Sequence, residues 1–446
     1  MKKIKLFVFL NLAIFNFYSQ DTTLTIFDEI LFYDGYAGVV NFPTPEGVIR
    51  HRNDLYAKKL STEDLLSLGS TLNLDVTIKA SCDNYDRIGS VNLAFVPKGD
   101  TSYIPDNVQR IELGRFITPF MNKNIQPDEV PYSFNIDNIA KIVKDVAMNQ
   151  LYDFWVELHV FGVPYAANTQ VAGCAGRNDV FFGTLKLTSN SEVISSNDYI
   201  LPLNFQNYLN DYQVGASDTI GKTTRTINFS LPTGLDQAKF YLITSNHGAN
   251  NGGEEYNRRF HYIYFDSALV LTYKPGETTC EPYRIYNTQG NGIYGSNPKT
   301  NAQWQSFSNW CPGAVIPIRE IDLGYLEAGE HSFKIDVPTA VFANNEGYFP
   351  ISLYLQGTRD NLNVKELKEE ARFTYIYPNP ASKKATIQTN EEIKSITVTN
   401  LIGTQILFND SKEIDLSSFK NGIYMVKIVF KNEKTSSFKL NVLNED

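Results

Sequence analysis

Three acidic residues lie in segments whose neighbours could support hydrolytic chemistry. Asp86 lies between Tyr85 and Arg87, Glu157 lies in an alternating apolar and polar run, and Glu255 lies in a glycine-rich loop. Carboxyls that are held close together in a partly desolvated cleft acquire separated pKa values, so one can act as an acid while another stays ionised. Such a set could activate a water and protonate a leaving group without a metal ion.

Each of these acids also has a plainer interpretation when it is taken singly. An Asp-Arg dipeptide in a turn is usually a solvated ion pair, and a lone Glu on an alternating strand usually faces water. The pair Glu254-Glu255 is also compatible with an ordinary acidic loop. The hypothesis of a site therefore depends on the three acids acting together.

The histidines and cysteines do not form a pattern typical of a metal site. The sequence contains no H-x-H or H-E-x-x-H motif, and no cysteine pair has zinc spacing. A G-x-S-x-G elbow, which marks many serine hydrolases, is absent as well. We therefore expect no metal and no cofactor. The histidines are His51, His159, His247, His261 and His331.

The segments that carry the acids are predicted to be strands and turns. Residues 72–78, 90–96 and 154–160 each alternate apolar and polar side chains, as half-buried strands do. Aromatic residues make up 13% of the chain, and β-branched runs recur between Gly, Asn, Asp and Pro turns. Short strands at such spacing, with few helical segments, indicate an all-β protein built from sandwiches.

A repeated layout suggests that two similar sandwiches follow each other. Tyr132-Ser-Phe-Asn-Ile-Asp137 matches His331-Ser-Phe-Lys-Ile-Asp336, and a strand-like run follows each of them. We interpret this as two tandem eight-stranded jelly rolls, at residues 22–187 and 188–360. The seam between them is then the natural place for a cleft.

The N-terminal residues predict export. Lys2, Lys3 and Lys5 precede an apolar run that ends at Phe17, which is typical of a signal peptide over residues 1–20. That run is too short to span a bilayer and no later stretch is apolar enough, so we expect no membrane span. Removing it takes away three Lys and no acid, so the formal charge of -9 becomes -12. This acidic chain would repel phosphate backbones, so nucleic acid is not an expected partner.

Four segments taken together resemble one known family. They are Cys82–Arg87 (CDNYDR), Ile111–Pro119 (IELGRFITP), Gly252–Tyr256 (GGEEY) and Asn309–Gly313 (NWCPG). Their order and spacing, over roughly Leu74 to Gly357, resemble peptide N-glycosidase F, a family of bacterial amidases that cut N-linked glycans from asparagine. The resemblance implies two tandem jelly rolls.

The resemblance also implies a role for each acid, because all three occupy the family's acidic catalytic positions. Asp86 would lie closest to the scissile amide bond and would orient or activate the attacking water. Glu255 would hold the opposite side of the site, and Glu157 would support the network from the strand behind. Arg87 would be an oxyanion donor or a partner of Glu255, since its planar fork suits both tasks.

Aromatic and polar neighbours of these motifs are predicted to bind the glycan. Tyrosine rings can stack on sugar rings, and His247 is expected to order the loop of the site. The predicted substrate-binding residues are Arg87, Tyr85, Tyr256, His247, Trp304 and Trp310. Arg115 lies in a family motif too, but we expect it to tie loops together by hydrogen bonds to carbonyls.

Four cysteines in an exported chain favour disulfides over reactive thiols. The resemblance implies a bond between Cys280 and Cys311, which would contribute about 3 to 4 kcal/mol by closing that loop. For Cys82 and Cys174 two alternatives stay open, because they either bond to each other or both remain free.

Residues 373–446 form a third predicted unit, which follows a charged linker at residues 361–372. Tyr377-Pro-Asn-Pro380 opens it and Asn421–Lys427 closes it. These motifs resemble the C-terminal sorting domain of the type IX secretion system. The resemblance implies a small β-sandwich, contact with the secretion machinery, and passage through the periplasm to the medium or the cell surface. The alternative is a small binding sandwich in its own right.

The sequence thus predicts a secreted, monomeric amidase that acts on N-linked glycoproteins or glycopeptides by metal-free acid–base catalysis. It would convert the linkage Asn to Asp and release the glycan. Two alternatives stay open. One is a glycan-binding or surface protein of the same fold that has lost activity, and the other is a glycosidase that cuts between sugars, for which two carboxylates suffice.

Overall fold

The computed structural model describes most of the chain outside its N-terminus. The described residues are 21–190, 192, 196–209, 223–248, 254–290, 293–340, 347–359, 374–400 and 404–443. The predicted signal peptide and the predicted linker at 361–372 lie outside them. Among the described residues, no helix is long and apolar enough to cross a membrane.

The first sandwich consists of two facing sheets. Its strands are β1 (Thr22–Tyr33), β2 (Val48–Arg52), β3 (Leu55–Lys59), β4 (Asn73–Ala80), β5 (Ile88–Pro97), β6 (Gln109–Ile117), β7 (Glu129–Asn135), β8 (Tyr152–Val160) and β9 (Asp179–Ser189). The sheet orders are β1-β9-β4-β7 and β6-β5-β8-β3-β2. The first strand lies beside the last, as in a jelly roll. The count is nine rather than eight because β2 is added at the edge of its sheet, where it pairs with β3.

The alternating sequence explains why these segments form strands. In β4 the side chains of Leu74, Val76 and Ile78 are buried, while those between them are partly exposed. Burial of such a side chain stabilises the fold by about 1.5 to 3 kcal/mol. The apolar faces of both sheets meet in one core.

The second sandwich also follows the jelly-roll order. Its segments are β10 (Asp198–Tyr208), β11 (Thr224–Leu231), β12 (Leu235–Thr244), β13 (His261–Phe265), β14 (Ala268–Tyr273), β15 (Val315–Ile316), β16 (Arg319–Leu326), β17 (Gly329–Asp336) and β18 (Pro350–Arg359). Eight of them form the sheets β10-β18-β12-β16 and β11-β17-β13-β14. The ninth, β15, pairs with β6 of the first sandwich.

The helices are few and short. The α-helices are α1 (Thr62–Ser67), α2 (Asp137–Lys144), α3 (Val146–Leu151), α4 (Ala167–Gln170) and α5 (Asn301–Trp304), and 3-10 turns occur at Pro105–Asn107 and Glu281–Tyr286. Helix α2 joins the two sandwiches, because Asn138 Nδ2 donates to the hydroxyl of Tyr354 at 3.0 Å and to Gln356 Oε1 at 2.9 Å.

The two matching Ser-Phe-x-Ile-Asp runs occupy strands that are not equivalent. The first overlaps the end of β7, which is at the edge of its sheet, and the second lies in β17, which is between β11 and β13. In both runs the Phe and the Ile are buried, since Phe134, Ile136, Phe333 and Ile335 all face cores. Inferring a repeat from this match was wrong, because alternate burial of Phe and Ile suits any strand that covers a core. The two jelly rolls are present nonetheless.

The C-terminal unit is a small sandwich. Its strands are β19 (Thr374–Tyr377), β20 (Lys384–Thr389), β21 (Ile393–Asn400), β22 (Gln405–Asn409), β23 (Glu413–Asp415), β24 (Gly422–Phe430) and β25 (Thr435–Val442). They form the sheets β19-β20-β23 and β22-β21-β24-β25. The unit has a core of its own, which includes Ile387, Ile396, Val426 and Ile428.

Both pairs of cysteines form disulfides, so the alternative of free thiols at Cys82 and Cys174 is wrong. The bond between Cys82 and Cys174 joins positions 92 residues apart, and the bond between Cys280 and Cys311 joins positions 31 residues apart. The first bond anchors the segment that leads into Asp86.

Candidate active site

A cavity of about 1410 Å³ lies at the seam between the two sandwiches. The first sandwich contributes the segment around Asp86 and the second contributes Glu255 and its neighbours. Of the residues predicted from sequence, the cavity is lined by Asp86, Glu255, Arg87, Tyr85, Tyr256, His247 and Trp310.

A buried carboxylate fixes the loop that carries Asp86. Asp83 has no exposed surface. It accepts hydrogen bonds from the backbone N–H groups of Tyr85 at 2.9 Å and Val163 at 2.7 Å, and from Nε of Arg87 at 2.7 Å. Charge-assisted bonds of this kind are stronger than neutral ones. Asp83 therefore holds the two residues that flank Asp86, Tyr85 and Arg87, and so fixes the turn.

Asp86 is half-buried at the wall of the cavity. Burial, together with the negative charge of Glu255, raises the pKa of the Asp86 carboxyl to about 7, while Arg87 opposes that rise. A carboxyl with such a pKa exchanges a proton near neutral pH, which is the property required of a general acid or base.

Glu255 reaches the cavity from the second sandwich. Its side chain is 9% exposed, and the N–H of Gly248 donates to its Oε2 at 3.3 Å. Asn309 Nδ2 donates to the carbonyls of Glu254 and Glu255 at 2.7 Å each, which holds the backbone of this turn. Burial raises the pKa of the Glu255 carboxyl, and hydrogen bonds from Tyr256 and Gly248 oppose that effect.

Tyr256 connects the two acids electrostatically. Burial and then the charges of Glu255 and Asp86 raise the pKa of its phenol far above the ordinary value, so the hydroxyl stays protonated and can donate a hydrogen bond. The arrangement thus combines two mutually perturbed carboxyls with a neutral donor. Such a set can move a proton to or from a bound water.

Arg87 does not pair with Glu255, contrary to one of the two expectations from sequence. Its Nε and Nη2 donate to the Asp83 carboxylate at 2.7 and 3.3 Å. Its guanidinium also lies 5.4 Å from the centroid of the Tyr85 ring. Asp83 and Arg87 are close enough to pair because they are four residues apart in one tight turn. Since Arg87 still lines the cavity, it remains a candidate donor to an oxyanion.

Glu157 does not reach the cavity, so the expectation that three acids converge is wrong for this residue. Its carboxylate has no exposed surface. It accepts hydrogen bonds from the Tyr103 hydroxyl at 2.7 Å and from Asn92 Nδ2 at 3.1 Å, with Arg110 Nη1 at 3.5 Å. Strand β8 turns Glu157 to the same face as His159, which does line the cavity, but Tyr103 covers Glu157.

The two predicted loop tryptophans have different positions. Trp310 lines the cavity, and its Nε1 donates to the Asn246 carbonyl at 2.9 Å. Trp304 does not line it. That ring is 1% exposed, packs with Cys280 and Cys311, and donates from Nε1 to Glu281 Oε1 at 3.0 Å. The prediction of substrate binding by Trp304 is therefore corrected, because its ring fills the core beneath the disulfide.

His247 lies in the wall of the cavity as a neutral side chain. Burial, followed by the charge of Arg115, lowers the pKa of its imidazole to about 3. Its Nε2 lies 2.7 Å from the Ser245 hydroxyl, and its ring stacks on Tyr348 with centroids 5.1 Å apart. These contacts agree with a residue that orders the loop.

Arg115 joins the two sandwiches and has the structural role expected from sequence, although only one of its partners is a carbonyl. It is 1% exposed and donates to both carboxylate oxygens of Glu112 at 2.8 and 2.7 Å. It also donates across the seam to the Ser245 hydroxyl and the Pro350 carbonyl, each at 2.8 Å. Losing one member of a buried ion pair typically costs about 3 to 5 kcal/mol. Arg115 thus fixes the seam in which the cavity lies.

Sequence reasoning missed several rings that line the cavity. They are Tyr36, Phe120, Phe161, Tyr165, Tyr208, Phe307 and Tyr348. A signal was present for five of them, because Tyr36, Phe120, Phe161, Tyr165 and Tyr348 each stand beside a Gly or a Pro in the sequence. Aromatic residues in such turns are exposed more often than those on alternating strands.

A second cavity, of about 1520 Å³, lies between residues 105–110, strands β10 and β11, and the C-terminal unit. None of the residues predicted from sequence lines it, so we assign the candidate site to the seam. Within the described part of the chain, no group of three or more His, Cys, Asp or Glu side chains is arranged to hold a metal ion.

Comparison with known families gives matches to three parts of the chain. Models of the N-terminal and C-terminal parts of peptide-N-glycosidase F match residues 23–175 and 217–356. A model of a secretion-system C-terminal sorting domain matches residues 375–442. A search of curated proteins by sequence found no match.

Two solved structures of the protein PNGF-II share the fold of this chain. They are 20% and 18% identical to it, with TM-scores of 0.55 and 0.53, and the alignments cover 76% and 77% of this chain. The chain spans 66% of the length of each, just under two thirds. A third structure, a peptide-N(4)-(N-acetyl-beta-D-glucosaminyl) asparagine amidase, is 14% identical with a TM-score of 0.49, and the alignment covers 78% of this chain and 98% of that chain.

Proposed function

Because this chain belongs to the peptide-N-glycosidase F family and carries a C-terminal sorting domain, we propose that it is an exported amidase. Its substrates would be N-linked glycoproteins or glycopeptides, in which it hydrolyses the amide bond between Asn and the first sugar. The observation that carries this proposal is that Asp86 and Glu255 line the same cavity from opposite sides of the seam, where the charge of Glu255 contributes to the raised pKa of Asp86.

In the proposed reaction, ionised Asp86 accepts a proton from a water that attacks the side-chain carbonyl carbon of the linkage Asn. The carbonyl oxygen then carries negative charge, which the guanidinium of Arg87, a residue of the cavity wall, would stabilise. Collapse of the tetrahedral intermediate breaks the bond between carbon and nitrogen, and the proton held by Asp86 passes to the departing amine. The products are an Asp peptide and a glycosylamine, which water converts to the free glycan and ammonia.

Glu255 and Tyr256 prepare Asp86 for this role. The charge of Glu255 makes Asp86 a stronger base than an ordinary Asp, because a nearby negative charge makes ionisation of the Asp86 carboxyl less favourable. Tyr256 stays protonated and holds the Glu255 carboxylate. We assign Glu157 no direct contact with the substrate, because its carboxylate is buried beneath Tyr103.

The products test this proposal directly. The mature protein is incubated with a glycopeptide, and both products are identified by mass spectrometry. The proposal predicts a free reducing glycan and a peptide in which the linkage Asn has become Asp. A peptide that keeps one N-acetylglucosamine on Asn would identify a glycosidase, and binding of the glycopeptide without turnover would identify a binding protein of the same fold.

A further inference from the structure

The wall of the cavity formed by the first sandwich carries rings that the proposed chemistry does not use. Tyr36 and Tyr165 line the cavity, are 80% and 70% exposed, and form what we call its rim. Phe161 also lines the cavity and lies between Tyr36 and Arg87 of the Asp86 loop. Exposed rings that line one cavity together form an apolar surface of the kind that binds a ligand.

The loop that carries Tyr36 is held in one shape by Asn53. This side chain is 2% exposed. Its Nδ2 lies 2.9 Å from the carbonyl oxygen of Asp34, 3.4 Å from that of Ala37 and 3.1 Å from that of Gly38, while its Oδ1 accepts from the N–H of Val40 at 2.9 Å. The loop is therefore ordered before any ligand binds, which lowers the entropic cost of binding.

A close approach of two loops sets the direction of the Tyr36 ring. The N–H of Gly35 donates to the Gly162 carbonyl at 2.9 Å. A Cβ at Gly35 would lie 2.6 Å from the Phe161 ring, so no larger residue fits there without displacing that ring. The rings of Tyr36 and Phe161 then meet edge to face with centroids 5.2 Å apart. The Phe161 ring also lies 5.9 Å from the Arg87 guanidinium, which connects the rim to the catalytic loop.

We propose that Tyr36, Phe161 and Tyr165 form a stacking subsite for the sugars of the glycan that lie beyond the linkage sugar. The inference rests on the proposed function and adds the place where the outer part of the substrate binds. A cavity of about 1410 Å³ exceeds the roughly 300 to 1,000 Å³ of ordinary small-molecule pockets. It therefore has room for more than one sugar.

The polar groups beside these rings favour a carbohydrate over a peptide. Asn84 and Gln170 line the cavity, and Asn84 Nδ2 donates to Gln170 Oε1 at 2.7 Å. Asn84 is 1% exposed, and its Oδ1 has no hydrogen-bond partner among the residues that the structure describes. A sugar hydroxyl is the kind of donor that this oxygen lacks. Tyrosine rings with amide groups beside them match the apolar faces and hydroxyl edges of sugars.

The test compares Tyr36→Ala with wild type on glycopeptides that share one peptide and differ in glycan length. Stacking of one ring is worth about 0.5 to 1.5 kcal/mol, so the ratio of KM for the long glycan to KM for the short one should rise about two- to twelvefold. Tyr36→Phe, which keeps the ring, should restore the wild-type ratio. Val39→Ala is the matched control, because Val39 lies on the same loop with 60% exposure but does not line the cavity.

A binding measurement separates failure of the subsite from failure of the amidase proposal. Titration calorimetry with the free glycan needs no turnover, and it should show weaker binding by Tyr36→Ala than by wild type even if the protein releases no glycan. Equal affinities would overturn the subsite. A KM penalty that grows with peptide length at fixed glycan would also overturn it, since the rim would then bind the polypeptide.

Discussion

At the scale of single residues, the proposed reaction depends on how the surroundings of Asp86 change the pKa of its carboxyl. The carboxyl gains its raised pKa from burial first and from Glu255 second, with Arg87 acting in the opposite direction. Burial, Glu255 and Arg87 thus set the protonation of Asp86. Asp83 also raises the pKa of Asp86, to a smaller extent, and its hydrogen bonds hold the turn and Arg87.

Replacing Asp86 by Asn should remove the base and keep the shape of the side chain. We expect turnover of a glycopeptide to fall by about 10²- to 10⁴-fold, the usual contribution of a general base. Binding of the glycopeptide, measured by calorimetry, should persist. Asp106→Asn is a suitable control, because the Asp106 side chain is 88% exposed and lies outside this cavity. Turnover by Asp86→Asn close to that of wild type would exclude the proposed mechanism.

The melting temperature checks that such a loss is not caused by unfolding. The pKa of Asp86 is about 7 in the folded state and 3.8 in the reference state, so the folded protein binds the extra proton between these pH values. The protonated Asp86 carboxyl therefore contributes to the free energy of unfolding at low pH, and this contribution is lost as the pH rises through about 7. Asp86→Asn lacks this effect, and its melting temperature relative to wild type should increase from pH 5 to pH 8.

Glu255 should control the pH dependence of the reaction. Because ionised Asp86 is the proposed base, kcat/KM should rise with pH and level off above an apparent pKa of about 7. Glu255→Gln removes a negative charge that raises the pKa of Asp86, so the midpoint of the profile should move to lower pH. The measurement is the pH profile of kcat/KM for both proteins. An unchanged midpoint in Glu255→Gln would show that the two carboxyls do not interact.

At the scale of strands and loops, local sequence gave correct strands but could not place all side chains. The alternation in β8 predicts that Glu157 and His159 lie on the same face of the strand, and the structure confirms this. The burial of Glu157 comes from Tyr103, which is 54 positions away in sequence, so no local pattern reveals it. Trp304 is a similar case, because the core beneath the Cys280–Cys311 bond only exists once the loop is folded. The acids in tight turns, Asp86 and Glu255, were easier to predict since short motifs fix their neighbours.

The two disulfides should differ in what they contribute to stability. On the loop-entropy model, the bond across 92 residues contributes about 4 to 5 kcal/mol and the bond across 31 residues about 3 to 4 kcal/mol. Cys82→Ser/Cys174→Ser should therefore lower the free energy of unfolding more than Cys280→Ser/Cys311→Ser. Denaturant unfolding followed by tryptophan fluorescence measures both, because all three Trp residues lie in the two sandwiches. The reverse order would show that the loop-entropy model does not hold here.

At the scale of the whole molecule, the sandwiches and the sorting domain have separate tasks. The seam is fixed by contacts at several places, including the β6–β15 pair, Arg115, and the packing of Tyr241 and Tyr354 of the second sandwich against the core of the first. The two jelly rolls are therefore needed together for the cavity. Motif order and turn spacing were enough to predict two jelly rolls and a small third sandwich. The pairing of β15 with β6 of the first sandwich is a tertiary contact, and no local signal predicts it.

Deleting residues 371–446 should leave the two sandwiches folded. The C-terminal unit has its own core, and Tyr375 is a partly buried residue that packs against the first core, so we expect only a small decrease in melting temperature. Export in the native host should then stop in the periplasm. Fractionation of the cells with detection of the protein checks this. Normal delivery of the truncated protein to the surface or the medium would contradict the role of the sorting domain.

The most direct test of the central claim is hydrolysis of a glycopeptide in water enriched in a heavy oxygen isotope. The proposed attack of water on the Asn carbonyl carbon predicts one heavy oxygen in the side chain of the new Asp, detected by mass spectrometry of the peptide. The label should fail to appear with Asp86→Asn. A peptide that retains Asn with a sugar attached, or an Asp without the label, would contradict the mechanism proposed for this site.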